Sequence, residues 1–197
     1  MNRVMLDHFI GEYEARGIVL DGFQVEACEH IARGNDVLVC APTGSGKTVV
    51  AHFAVELALA TEKRCVYTAP IKALSNQKYS ELAELHGEEH VGLLTGDVSV
   101  NREADILVVT TEVLRNMLFA ESADVADVGY VVLDEVHYLA DRERGPVWEE
   151  VILTLPEHCR LISLSATVPN TEELVGWLRS VRGKTELVHS AVRPVPL

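Results

Sequence analysis

The chain alternates short, unbroken apolar runs with longer stretches in which apolar positions recur every three or four residues. The short runs are rich in Val, Ile and Leu and lack a polar residue at every second position. That is the pattern of strands buried on both faces of a parallel sheet. It predicts strands over Asp36–Cys40, Cys65–Thr68, Val91–Thr95, Ile106–Thr110, Tyr130–Leu133 and Leu161–Leu164. The longer stretches predict helices over Gly46–Ala60, Ile71–Leu85, Glu112–Phe119, Pro146–Leu155 and Thr171–Val181. In the second of these, Ile71, Leu74, Leu82 and Leu85 share one face, which should be the buried one. Pro146 suits a first helical turn, with Val147, Trp148, Val151 and Ile152 as the inward stripe. Asn170 is placed to cap the last helix, with Glu173 near its positive end. Strands and helices alternating in this way predict an α/β fold, a mostly parallel sheet flanked by helices.

Composition narrows the picture little. With 197 residues, 48% of them hydrophobic, the chain can build one domain with a core, and two are not needed. The tail Arg193–Leu197 carries two prolines and reads as a linker. We therefore expect one domain over 1–191 and the start of a connection over 192–197. Cys28, Cys40, Cys65 and Cys159 lie in apolar runs with no CxxC pair or His cluster beside them, so buried reduced thiols are expected. No stretch reads as a signal peptide or a membrane span, and a cytoplasmic location follows as an expectation. The formal net charge of -13 argues against a nucleic-acid partner for the surface as a whole. Binding uses one face only, so such a partner must be argued from motifs.

The strongest motif runs from Ala41 to Thr48, APTGSGKT, between the strand run DVLVC and an apolar helix. A strand, a glycine-bearing loop, Lys-Thr and a helix form a phosphate-binding loop, here with Ala at the usual first glycine. Gly44 and Gly46 allow the backbone at Thr43, Ser45 and their neighbours to turn its N–H groups toward phosphate oxygens, and the helix N-terminus adds positive potential. Lys47 can reach the β- and γ-phosphates of ATP, and Thr48 can ligate Mg²⁺. The second motif is Asp134-Glu135-Val136-His137, at the end of the run YVVL. An acidic pair at the end of a buried strand needs a cation or a role. Asp134 suits Mg²⁺, and Glu135 suits a catalytic carboxylate that orients water. The third is Ser165-Ala166-Thr167, again at a strand end, whose hydroxyls could bond to the acidic motif and sense its state.

These three motifs, in this order and spacing, resemble those of superfamily 2 helicases of the DExH-box type. Phe23-Gln24 matches the position of the family's glutamine motif, which implies that Gln24 reads adenine; the aromatic residue often found upstream is replaced here by Ile18-Val19-Leu20. The segment Pro70–Gln77, PIKALSNQ, together with Thr95-Gly96-Asp97 and Thr110–Arg115, resembles strand-contacting motifs. That implies contacts from Pro70, Lys72, Gln77, Gly96, Asp97, Thr111 and Arg115 to a sugar-phosphate backbone. Arg115 and Lys78 read equally as surface charges of helices. His137, Ser165 and Thr167 would couple ATP to strand contacts. Asp141–Glu150, DRERGPVWEE, is similar to the superkiller branch, which includes exosome-associated RNA helicases. The resemblance implies a RecA-like fold, ATP and Mg²⁺ as cofactors, single-stranded RNA in preference to DNA, and a second RecA-like domain that supplies arginine fingers. A DNA helicase of the repair type and a non-catalytic ATP-binding scaffold are the alternatives. His52 and His158 read as filler, and Trp148 and Trp177 as core.

Overall fold

A computed structural model describes residues 2–192. In chain order its elements are α1 (Asn2–Ala15), α2 (Gly22–Ala32), β1 (Asp36–Cys40), α3 (Thr48–Ala60), β2 (Arg64–Ala69), α4 (Lys72–His86), β3 (Val91–Leu94), β4 (Ser99–Val100), β5 (Ile106–Thr110), α5 (Thr111–Phe119), β6 (Val128–Leu133), α6 (Gly145–Thr154), β7 (Arg160–Ser165), α7 (Thr171–Arg182) and β8 (Thr185–His189). The strands form one eight-stranded sheet in the order β4-β3-β5-β2-β6-β7-β1-β8. Every pairing is parallel except that of β3 with the two-residue β4.

Strand side chains alternate between two apolar layers, as the two-residue period of a strand requires. Val37 and Val39, Cys65 and Tyr67, Ile106 and Val108, and Tyr130 and Val132 face the layer covered by α1, α2, α3 and α4. Leu38 and Cys40, Val66, Leu107 and Val109, and Val131 and Leu133 face the layer covered by α5, α6 and α7. Burial on both sides explains why these runs are apolar throughout. All four cysteines are free and buried, and burial pushes the Cys65 thiol up to about 12 and the Cys159 thiol to about 11.

Three expectations need correction. In α4 only Leu82 of the four named residues is buried; Ile71, Leu74 and Leu85 are exposed. The inward face instead carries Ser75 and Leu82, with Tyr79 packed beside them. Asn170 sits at the N-cap of α7 without a side-chain capping bond, and its carbonyl accepts from Leu174 N–H at 3.1 Å. Trp148 is core, whereas Trp177 is half-buried and lines a surface groove with Leu139 and Leu174. The expected linker over 193–197 lies outside the described residues.

Two helices and two strands went unpredicted. In α1 only Leu6 and Phe9 of fourteen residues are buried, so the apolar period is faint. In α2 a signal was present: Phe23, Ala27, Cys28 and Ile31 form its inward stripe. The edge strand β4 has two residues, both exposed, and the edge strand β8 is buried only at Thr185 and Val188, its run TELVH broken by polar residues.

Because the strands are parallel, their carboxyl ends share one edge of the sheet, and strand order distributes the motifs along it. The ends of β3, β5 and β2 carry Gly96, Thr111 and Pro70. The ends of β6, β7 and β1 carry Asp134, Ser165 and the glycine loop. One edge thus holds two neighbouring sets of motif residues, as expected where ligands meet open α/β sheets.

Candidate nucleotide and nucleic-acid site

The loop after β1 is shaped by Gly44 at φ +78° and Gly46 at φ +86°. The positive φ favours glycine at Gly46, and a side chain there would also push on Gln24 Nε2 at 2.6 Å. Gln24 is buried, with one bond at each end of its amide. Its Nε2 donates to Gly46 O at 2.9 Å and its Oε1 accepts from Asp21 N–H at 2.7 Å. The glutamine therefore braces the loop, and its amide is turned toward protein groups. Beside it lies a cavity of about 380 Å³ lined by Gly22, Phe23, Glu26, Ser45, His189 and Ser190, among others. The last two, at the end of β8, were not foreseen from the sequence. The Ser45 hydroxyl in this lining is buried with no protein partner.

Lys47 folds its ammonium onto the loop, donating to Ala41 O at 2.7 Å and Pro42 O at 3.0 Å. Burial lowers its pKa, while Glu135 and Asp134 oppose that by favouring the ammonium. Both carboxylates lie on the same carboxyl edge of the sheet as Lys47. The helix begins at Thr48, two residues later than expected.

After β6 the chain turns at Glu135, a non-glycine residue at φ 60°, ψ 38°. The turn separates the two carboxylates. Asp134 Oδ2 accepts from the Tyr67 hydroxyl at 2.7 Å, and Oδ1 accepts from Glu135 N–H at 2.9 Å. Burial, first, and then Asp134 push the Tyr67 phenol well above its usual value, so it remains a donor. Glu135 Oε2 lies 3.2 Å from His137 Nε2. His137 Nδ1 accepts from Ala166 N–H at 3.2 Å. That bond leaves the proton of a neutral imidazole on Nε2, facing Glu135.

The connection between the acidic motif and Ser165-Ala166-Thr167 thus runs through a ring and a backbone amide. The hydroxyls expected to make it do not: Ser165 Oγ donates to Ala166 O at 2.7 Å, and Thr167 is exposed.

On the other half of the edge, Pro70, Lys72, Gly96, Asp97 and Thr111 line one cavity of about 430 Å³. Lys72 and Asp97 form an ion pair at 2.5 Å, which holds the Asp97 carboxyl below its ordinary value. Thr111, at the start of α5, is buried with an unpartnered hydroxyl. Two residues stand apart from this group. Gln77 is exposed farther along α4 and Arg115 pairs with Glu150 at 3.5 Å; neither lines the cavity. Arg144, missed in the sequence, does line it, with its guanidinium over the Tyr138 ring at 5.4 Å. A side chain at the next residue, Gly145, would meet Leu139 O at 2.4 Å, so glycine lets the start of α6 close onto this loop.

No group of three or more His, Cys, Asp or Glu side chains suited to a metal occurs among the described residues. One carboxylate and one hydroxyl, Asp134 and Thr48, are still the hard oxygen donors that Mg²⁺ takes alongside phosphate oxygens and water.

A family model described as DEAD/DEAH box helicase matches residues 21–175. The probable helicase HelY of Mycobacterium tuberculosis (strain ATCC 25618 / H37Rv) is 58% identical over 192 residues, covering 98% of this chain and 21% of that protein. Superkiller complex protein 2 of Homo sapiens is 49% identical over 178 residues, covering 90% of this chain and 14% of that protein. Among solved structures, Mycobacterium smegmatis helicase Lhr bound to ssDNA and AMP-PNP is similar at TM-score 0.74 and 29% identity, over 94% of this chain and 28% of that one. The chain spans about a fifth or less of the length of these two curated relatives. Its mostly parallel sheet and flanking helices are those of a RecA-like domain.

Proposed function

Because the chain belongs to the DEAD/DEAH box helicase family, we propose that it is the ATP-binding motor domain of an ATP-dependent helicase acting on RNA. The observation that carries this is the placement of Lys47, Asp134 and Glu135 on one sheet edge together with the Glu135–His137–Ala166 chain of contacts. In this reading Lys47 binds the β- and γ-phosphates, and the backbone N–H groups of the loop from Thr43 to Gly46 face their oxygens. Thr48 and Asp134 hold Mg²⁺, which when bound neutralises charge on the phosphate oxygens. Glu135 orients water toward the γ-phosphate and accepts its proton. Reaching phosphate requires Lys47 to leave the carbonyls of Ala41 and Pro42.

Pro70, Lys72, Gly96, Asp97 and Thr111, with Gln77 and Arg115 at the margin, grip the backbone of a single strand. His137 relays the state of Glu135 to Ser165-Ala166-Thr167. Residues 1–191 form the domain, 192–197 lead toward a second RecA-like domain, and the protein works in the cytoplasm. RNA is favoured because DRERGPVWEE resembles the superkiller branch, whose human member matches at 49% identity. DNA is the second reading, favoured by the likeness to Lhr in its complex with ssDNA.

Calorimetric titration of Mg-ATP into the parent chain and Lys47→Ala tests the nucleotide assignment. Loss of one charge-assisted contact, about 1.5–3 kcal/mol, should weaken binding roughly ten- to hundredfold. Equal affinities would remove the basis of the assignment. Anisotropy with RNA and DNA single strands of one sequence, across a salt series, separates the two substrate readings; tighter binding to DNA would select the second.

A further inference from the structure

We propose that Tyr67 is a positioning residue of the nucleotide site, its buried phenol holding Asp134 in the orientation that Mg²⁺ requires. The inference rests on the nucleotide reading above. Tyr67 lies on β2, the strand beside β6, in register with Val132 and so two positions before Asp134 on the neighbouring strand. Its ring is fully buried in the layer under α2, α3 and α4. Its hydroxyl makes one hydrogen bond, to Asp134 Oδ2 at 2.7 Å.

The geometry of Asp134 gives that bond its purpose. One carboxylate oxygen takes the phenol and the other takes Glu135 N–H, so two donors fix the plane of the group while each oxygen keeps a further lone pair for the metal side. The phenol approaches from the core, leaving the solvent side of the carboxylate open. Groups that orient a metal ligand in this way tune affinity without touching the metal.

The ring is itself held. Lys78 Nζ lies 5.3 Å from its centroid and is anchored to Glu81 at 2.8 Å. Phenylalanine would fill the same volume and keep the Lys78 contact, so the hydroxyl serves the bond to Asp134 and no other described contact.

The test is calorimetric titration of a non-hydrolysable ATP analogue into the parent, Tyr67→Phe, Asp134→Asn and the double variant, each with Mg²⁺ and with a chelator. Tyr67→Phe should bind roughly tenfold more weakly with Mg²⁺ and as the parent does with chelator. In the Asp134→Asn background the second substitution should cost nothing further. Parental affinity with Mg²⁺, an equal loss in both conditions, or an equal further loss in the Asp134→Asn background would each overturn the proposal. A parent whose affinity ignores Mg²⁺ would defeat the nucleotide reading itself, and the proposal with it.

Discussion

Glu135 shows how backbone strain can coincide with a proposed catalytic residue. Its left-handed backbone costs a residue with a side chain roughly 1–2 kcal/mol, and strain of this kind collects at functional sites. Here it turns two adjacent carboxylates toward different partners, Asp134 to Tyr67 and Glu135 to His137. A second residue-scale consequence concerns His52 on α3. Burial holds its pKa below 6.5, with Glu81, whose Oε1 lies 3.3 Å from Nε2, pulling the other way. The unfolded chain takes up the proton near the ordinary value, and the folded chain only at lower pH. The stability contribution is therefore complete above about pH 6.5 and is lost as pH falls toward the folded value, at up to about 1.4 kcal/mol per pH unit. Thermal unfolding of the parent and His52→Gln between about pH 5 and 8 checks this. The variant should show the shallower acid-side decline, and identical slopes would show that His52 does not contribute.

At the scale of elements, the end of the sheet opposite the site is tied by a buried ion pair. Asp36 opens β1 and Arg182 closes α7, at 3.0 Å, with side chains 2% and 4% exposed. Arg182 also donates to the carbonyls of Leu155, Pro156 and Cys159, and Asp36 accepts from Leu161 N–H. Arg182→Met would leave buried Asp36 with only the part-exposed Arg160, 3.7 Å away, as a cationic neighbour; breaking a buried pair costs up to about 3–5 kcal/mol and lowers Tm by up to roughly 6–20 °C in a domain of this size. Asp7→Ala, which breaks the exposed pair with Arg3, should cost under about 1 kcal/mol. Comparable losses in the two variants would mean that the buried pair contributes no more than a surface one.

The buried pair of Asp36 and Arg182 joins residues far apart in sequence, and that separation marks what could be read beforehand. The six predicted strands were legible because burial on both faces leaves only apolar residues, whatever the neighbours. The inward face of α4 was not, because Lys78 sets its ammonium over the Tyr67 ring and Ser75 replaces an apolar residue, so the apolar period points to exposed Leu74 and Leu85. The P-loop and the acidic pair were legible because each is local, with its partners within a few residues. Tyr67 and Arg144 were not: a tyrosine in an apolar strand and an arginine in a charged loop gain their neighbours only when β2 pairs with β6 and α6 packs on α5.

For the whole molecule, the decisive point is what this one wall of the proposed active site supplies. Lys47, Thr48, Asp134 and Glu135 would bind nucleotide, hold metal and aim water. The charge that develops on the γ-phosphoryl oxygens in the transition state needs further cationic donors. Among the described residues Asp134 and Glu135 meet Tyr67 and His137 and no arginine, and Arg144 lines the separate cavity of the proposed strand-binding half. In the proposed two-domain motor an arginine from the facing domain meets that need. Such a finger is worth about 10³–10⁵ in rate, or roughly 4–7 kcal/mol of barrier, more than any other single contact considered above. This chain alone should therefore bind ATP, hydrolyse it at least about a thousandfold more slowly than a protein extended through the next domain, and separate no duplex, since one domain cannot close on a strand against itself. Steady-state ATPase rates of the short and extended proteins, each with saturating single-stranded RNA, make the comparison. Equal rates would mean that the site is complete within these 197 residues and that the cationic donor must be sought among Arg144 and its neighbours on the same sheet edge.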